Sequence, residues 1–310
     1  MAPSQTSDCK DAVSTPPIIF DRALLDQRRA RAARAWKADG TADFLLVRAV
    51  DDIQDRLAVI RRTFPVAVVL GAQGGSVGRR LRECGRHDFI VEMDTVAALL
   101  RGSTNTGVQA DEELLPFKPA SLDLIVSALT LQWVNDLPGT LMQTRHALKP
   151  DGLLLAALIG GESLTELRQA FVAAESEIDG GASPRVAPFA DGRDLGSLLQ
   201  RAGFALPVVD SDRFTVAYPH PLALMHDLRA MGATNVLAER RRTPLRRATL
   251  LRACEIYAER FSRPDGRITA TFEIITLTAW APVDSQQQPL KPGSATHRLA
   301  DALGVREVGL

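Results

Sequence analysis

Apolar and polar positions divide the chain into alternating short and long periods. Val66–Leu70, Phe89–Val91, Leu122–Ala128 and Leu153–Leu158 are apolar at nearly every position, too short for helices and right for strands covered on both faces. Helical patterns separate them. Residues 43–62 place Leu46, Val50, Ile53, Leu57 and Ile60 on one side at spacings of three and four, a stripe made to cover a sheet. Residues 76–83 and Leu137–Leu148 also read as helices. Strands apolar on both faces and alternating with helices predict a doubly wound, mostly parallel α/β sheet.

The alternation lapses between Gly160 and Arg267, where Ser163–Ile178, Arg193–Ala202, Leu222–Met231 and Leu245–Phe261 read as helices. Residues 267–280 then alternate with period two, Ile268, Ala270, Phe272, Ile274, Thr276 and Thr278 falling on one side, as in a long antiparallel edge strand. The domain expected from this runs over residues 18–281 with a helical insertion at about 160–262. Residues 1–17 and 282–310 have the Ser, Thr, Pro, Gly and Gln content of disordered tails. Near the start, Phe20 to about Ala38 is helical in pattern, and its Arg28, Arg29, Arg31 and Arg34 read as a solvated face beside Leu24, Leu25 and Trp36.

Charge narrows the partners: 37 basic residues balance 37 acidic ones, so no global field holds a polyanion and nucleic acid is not expected. Arg240, Arg241, Arg242, Arg246 and Arg247 form a local basic run, read as a solvated helix face, with contact to a partner or to anionic lipid as the alternative. Cys9, Cys84 and Cys254 form no ligand spacing, and the five histidines have no adjacent nucleophile or helical pairing. No metal is assigned. The longest apolar runs fall far short of the roughly 20 residues of a membrane span, and a cytoplasmic setting is expected.

Candidate chemistry begins after the first strand, at Leu70-Gly71-Ala72-Gln73-Gly74-Gly75. Such a turn serves a close-approaching ligand or simply a tight reversal of the chain. It is not a P-loop, because no Gly-Lys-Ser/Thr follows. Downstream come Ala110–Phe117, Ser121–Ser127, Leu131-Gln132-Trp133-Val134-Asn135-Asp136-Leu137-Pro138, Leu148-Lys149-Pro150-Asp151-Gly152, Gly160–Arg168, Asp179–Pro184 and Arg201-Ala202-Gly203-Phe204.

This succession, over roughly Phe20 to Trp280, resembles class I S-adenosylmethionine-dependent methyltransferases. Within them it resembles the methyltransferase-like assembly factors of respiratory complex I, whose mitochondrial member is known as a protein arginine hydroxylase. The resemblance implies a seven-stranded methyltransferase-type sheet, S-adenosylmethionine as cofactor and a protein partner, a complex I subunit. It puts Gly71, Gln73, Gly75 and Leu129 beside the cofactor, Asp111 and Glu112 at its adenine, and Glu92 or Asp94 at its ribose, where two carboxylate oxygens match a cis-diol. Gln132 and Trp133 would line the substrate pocket; no catalytic residue is assigned. The first motif departs from the pattern: Val69 stands where an acidic residue is usual, and Gln73 replaces the middle glycine. Losing a hydrogen bond to a charged group costs about 1.5–3 kcal/mol, so cofactor binding is expected to be weakened. Two other functions share the pattern: a carboxyl O-methyltransferase resembling the malonyl-carrier-protein enzyme of biotin synthesis, and a degenerate, non-enzymatic scaffold. The enzymatic readings require a nucleoside-shaped crevice at the carboxyl edge of the sheet.

Overall fold

A computed structural model describes residues 17–35, 44–286 and Ser294. Apart from Pro17, residues 282–286 and Ser294, the expected tails lie outside the described residues, as does Trp36. The sheet has seven strands in the order β3-β2-β1-β4-β5-β7-β6. These are β1 Val66–Leu70, β2 Phe89–Asp94, β3 Thr106–Gln109, β4 Leu122–Ala128, β5 Leu148–Ile159, β6 Ala205–Tyr218 and β7 Ile268–Trp280. Pairing is parallel from β3 through β5, and β7 and β6 form an antiparallel edge beyond it. The doubly wound seven-stranded sheet expected from the sequence is therefore observed.

The two-faced apolar strands explain the two cores. Val68 and Leu70 of β1, Ile125 of β4 and Leu154, Ala156 and Leu158 of β5 face α5 (Leu137–Ala147) and α7 (Gly192–Arg201). Their neighbours Ala67, Val69, Leu124, Val126, Leu153 and Leu155 face α2 (Phe44–Val59) and α3 (Ser76–Glu83), where Leu46, Val50, Ile53 and Leu57 form the stripe read from the sequence. A third core joins Ile268, Ala270 and Phe272 of β7 to α6 (Thr165–Ile178), α8 (Pro221–Ala230) and α9 (Arg247–Phe261).

Four expectations need correction. The strand read at residues 267–280 is antiparallel to β5 but is not at the edge, because β7 lies between β5 and β6 and pairs with both. The segment 160–262 is not wholly helical, because it contains β6, a 14-residue strand. Residues 239–246 are not helical either: Arg240 pairs with Asp21 at 3.0 Å and Arg241 with Asp179 at 3.3 Å, and α9 begins only at Arg247. Finally, α1 (Arg22–Ala35) does not hold all its arginines in solvent, since Arg29 is 9% exposed. Among the described residues no helix is long and apolar enough to cross a membrane.

Candidate functional site

Strand order reverses between β1 and β4, and in such sheets ligands sit outside the carboxyl ends of the strands at that reversal. Here β1 ends at Gly71 and the glycine turn. Gly71 (φ +85°) and Gly75 (φ +81°) take left-handed backbone, and both sit in close quarters. A Cβ at Gly71 would lie 1.9 Å from Thr130 Oγ1, and one at Gly75 would lie 2.8 Å from the Gly102 carbonyl oxygen. Packing alone therefore requires both glycines. Val69 is fully buried in the core facing α2, so its side chain does not reach the mouth of the sheet. Gln73 turns its amide back onto Ala128 O (3.4 Å) and Thr130 Oγ1 (3.3 Å).

The two candidate ribose carboxylates part company. Glu92 pairs in register with Val69 inside the sheet and lies under α3, accepting from Asn105 Nδ2 at 3.2 Å, with Oε1 where a Cβ on Gly78 would go. Asp94 stands at the end of β2, where it accepts from the main-chain N–H groups of Ala72 (3.0 Å) and Val96 (2.9 Å). Asp111 and Glu112 follow β3 at the same edge.

What gathers these carboxylates is α1. Arg29 donates two hydrogen bonds to the fully buried Asp94, Nη1 to Oδ1 at 3.1 Å and Nη2 to Oδ2 at 2.9 Å. Seven residues earlier, Arg22 Nη2 lies 2.8 Å from Asp111 Oδ1 and 2.6 Å from Glu112 Oε2, and its Nη1 lies 3.5 Å from Glu113. Asp26 between them accepts from Thr95 Oγ1 at 2.7 Å. Asn135 fixes the entry to α1 by accepting from the N–H groups of Ile19 and Phe20 at 2.8 and 2.7 Å. Burial works against charge on Arg22, yet the carboxylates of Glu112 and Asp111 outweigh it and hold its pKa above the ordinary value. Burial pushes the Glu112 carboxyl up, against the pull of Arg22 and Arg29.

Nothing in the sequence pattern marks Arg22 as a site residue. A signal existed for Arg29: with Leu25 and Ala32 it occupies the buried positions of α1, at the i, i+4, i+7 spacing of an inward face.

Gln73, Leu129, Gln132 and Trp133 line a small space beside Arg29, about 90 Å³ in volume. Three of its lining residues, Gln73 (φ +46°), Leu129 (φ +52°) and Leu164 (φ +57°), hold left-handed backbone without being glycine. Strain of that kind collects where the surrounding structure fixes a site. Trp133 is the middle ring of an edge-to-face row, 5.5 Å from Phe20 and 5.9 Å from Phe189.

The fit to a nucleoside is conditional on α1. Gln132 Oε1 and Glu112 Oε1 are buried acceptors without a donor, suited to amino groups of a ligand. Asp94, with about four lone-pair positions, already receives four donors, so ribose hydroxyls fit only when Arg29 leaves it. The required crevice is thus present but largely filled by side chains of a helix outside the sheet. Among the described residues no group of three or more His, Cys, Asp or Glu is placed to hold a metal ion.

Sheet order and crevice define a class I methyltransferase fold, and a family profile described as a methyltransferase domain matches residues 69–156. The YcgJ protein of Bacillus subtilis shares the fold at 12% identity, with a TM-score of 0.53 over 76% of this chain and 99% of its own. Human "Arginine-hydroxylase NDUFAF5, mitochondrial" is 41% identical over 299 residues, covering 94% of this chain and 86% of the human protein. Its zebrafish counterpart is 38% identical over 287 residues, covering 91% and 89%. The malonyl-[acyl-carrier protein] O-methyltransferase of Xylella fastidiosa is 32% identical over 276 residues, covering 85% and 89%. The chain belongs to the methyltransferase-fold family of the NDUFAF5 arginine hydroxylases.

Proposed function

We propose that this protein acts on an arginine of a protein partner in respiratory complex I assembly and binds S-adenosylmethionine at the carboxyl edge of β1–β4. The reading rests above all on the likeness to the NDUFAF5 proteins along nearly the whole chain. The buried, donorless Glu112 Oε1 and Gln132 Oε1 support a polar ligand at that edge. In this reading Asp94 takes the ribose hydroxyls, Asp111 and Glu112 the adenine amino group, and Gly71, Gln73, Gly75 and Leu129 the cofactor's flank, with Gln132 and Trp133 on the substrate side. When bound, S-adenosylmethionine would supply a methyl group on a positively charged sulfur, which serves methylation; putting one oxygen atom on an arginine would draw instead on molecular oxygen and a two-electron reductant, the second oxygen atom leaving as water. The protein works in the cytoplasm, with peripheral contact at the inner face of the membrane.

Calorimetric titration of S-adenosylmethionine tests the binding half: binding that Asp111→Ala weakens about tenfold supports it, and no heat with no thermal shift favours the scaffold. Mass analysis of the partner tests the chemistry. A gain of one oxygen atom on an arginine is the expected result. A gain of one methylene on a carrier-protein carboxyl group would replace this reading with the O-methyltransferase one, which the Xylella relative keeps in view.

A further inference from the structure

Next to the crevice lies a second cavity of about 270 Å³, close to the lower end of small-molecule pockets at roughly 300 Å³. Phe20, Leu167, Phe171, Val186, Met225 and Leu245 form part of its wall, and five residues, Trp133 and Leu164 among them, are shared with the space beside Arg29. Two of its few polar residues, Arg185 and Asn235, also line an adjoining surface hollow with Arg28, Arg240, Arg241 and Arg242. That hollow brings five guanidinium groups together with a single carboxylate, Asp21. Asp21 is taken by Arg240, Arg241 pairs with Asp179, and Arg185 pairs with the buried Glu175. Among the described residues neither Arg28 nor Arg242 has a carboxylate within ion-pair distance, although Arg28 donates to the Asn235 carbonyl. Burial, together with Arg240, Arg31 and Arg229, holds the Arg28 pKa below its ordinary value, as expected of a cation surrounded by cations.

An apolar chamber opening beside uncompensated cations complements one kind of molecule. We propose that cavity and hollow form a single site for an anionic amphiphile, with its aliphatic chain among Leu167, Phe171 and Met225 and its phosphate head on Arg28 and Arg242. Apolar walls make no demand for water, and removing methylenes from water strengthens binding roughly fourfold for each one. A forked guanidinium matches two phosphate oxygens at once. This site goes beyond the proposed function and uses none of the crevice carboxylates.

The test titrates the full-length protein with octyl phosphate, kept below its micelle concentration, beside hexyl phosphate, octyl glucoside and inorganic phosphate. Expected is one site per chain, with octyl phosphate binding at least tenfold tighter than each of the other three. Met225→Trp, which fills the chamber, should weaken octyl phosphate at least tenfold. Arg28→Glu with Arg242→Glu should reduce octyl phosphate to the level of octyl glucoside. Should Met225→Trp fail to fold, Leu245→Phe fills the same chamber by a smaller step and is expected to weaken binding about threefold. Equal affinity for octyl and hexyl phosphate, unchanged binding in the filled variants, or binding to phosphatidylglycerol vesicles without binding to the monomer would each overturn the proposal. Because no nucleoside is present, its failure leaves S-adenosylmethionine binding to be judged separately.

Discussion

The crevice at the ends of β1–β4 and the cavity beside it lie within reach of the same Trp133, yet they are built on opposite terms. In the crevice the buried Asp94 and Glu112 are paired with Arg29 and Arg22, and Asp94 has no acceptor position to spare. In the cavity the walls are apolar, and the surplus cations Arg28 and Arg242 sit outside it. An interlocked charge lattice holds a helix in place until something competes for its partners, whereas an apolar chamber merely holds space open. The difference is sharpest on substitution, because removing one member of a buried ion pair leaves the other unpaired and filling a void does not.

Arg29→Ala should therefore have the largest effect. It strands the fully buried Asp94 on two main-chain N–H groups, and breaking a buried pair from one side costs about 3–5 kcal/mol. Urea unfolding without ligand measures this. Arg29→Lys should fall between, because one ammonium cannot reproduce two parallel hydrogen bonds. With the crevice carboxylate vacated, S-adenosylmethionine should raise the melting temperature of Arg29→Ala more than that of the native chain. A variant as stable as the native protein would mean that the arginine is not what holds α1 down.

Gly71→Ala comes next. A left-handed L-residue costs roughly 1–2 kcal/mol, and here the new Cβ also meets Thr130 Oγ1 at 1.9 Å. Gly203 offers the control: its φ is +82° but nothing lies within 4 Å of a Cβ there. Gly203→Ala should cost only the backbone part, and Thr130→Ala should return part of the loss in Gly71→Ala. Equal costs at the two glycines would show that the turn does not depend on close packing against Thr130, just past β4.

Period and spacing made much of this legible in the sequence. Strands such as Val66–Leu70 and Leu122–Ala128 are apolar on both faces because helices cover both, so a parallel sheet could be read directly. The carboxylates at the end of β2 and after β3 read from the sequence as candidate cofactor ligands, but only the strand register separates Asp94 from Glu92. Strand β6 escaped notice because Asp210, Asp212 and Arg213 sit in its middle. Those aspartates are held from outside, by Arg56 at 2.6 Å and Arg48 at 2.7 Å, as charges often are on a protected edge strand. The spacing of Leu25, Arg29 and Ala32 marks Arg29 as inward-facing, but the partners of Arg22 and Arg29 lie 65 or more residues away, and no local pattern reports a long-range ion pair. The apolar cavity is assembled from α6, α8 and the segments around Phe20, Val186 and Leu245, which lie far apart in the sequence, so no local pattern reports it either.

The smallest predicted effect separates the two regions by the sign of its pH dependence. In the crevice, burial raises the Glu112 pKa above its ordinary 4.5, so the folded state binds the proton more tightly than the unfolded one. Its contribution to stability is complete below pH 4.5 and is lost as pH rises through the raised value. At the cavity rim, burial opposes charge on Glu175, but the Ser183 N–H and Arg185 prevail and hold its pKa below 4.5. Its contribution is present above pH 4.5 and is lost on acidification through the lowered value. Glutamine imitates the protonated acid in both places. Relative to the native chain, Glu112→Gln should gain stability as pH rises above 4.5, while Glu175→Gln should lose it as pH rises towards 4.5 and keep that deficit above it. Melting curves at three pH values suffice to read both slopes. Slopes of the same sign would mean that Arg22 compensates Glu112 as fully as Arg185 compensates Glu175, and the contrast between a strained charge lattice and a relaxed rim would have to be given up.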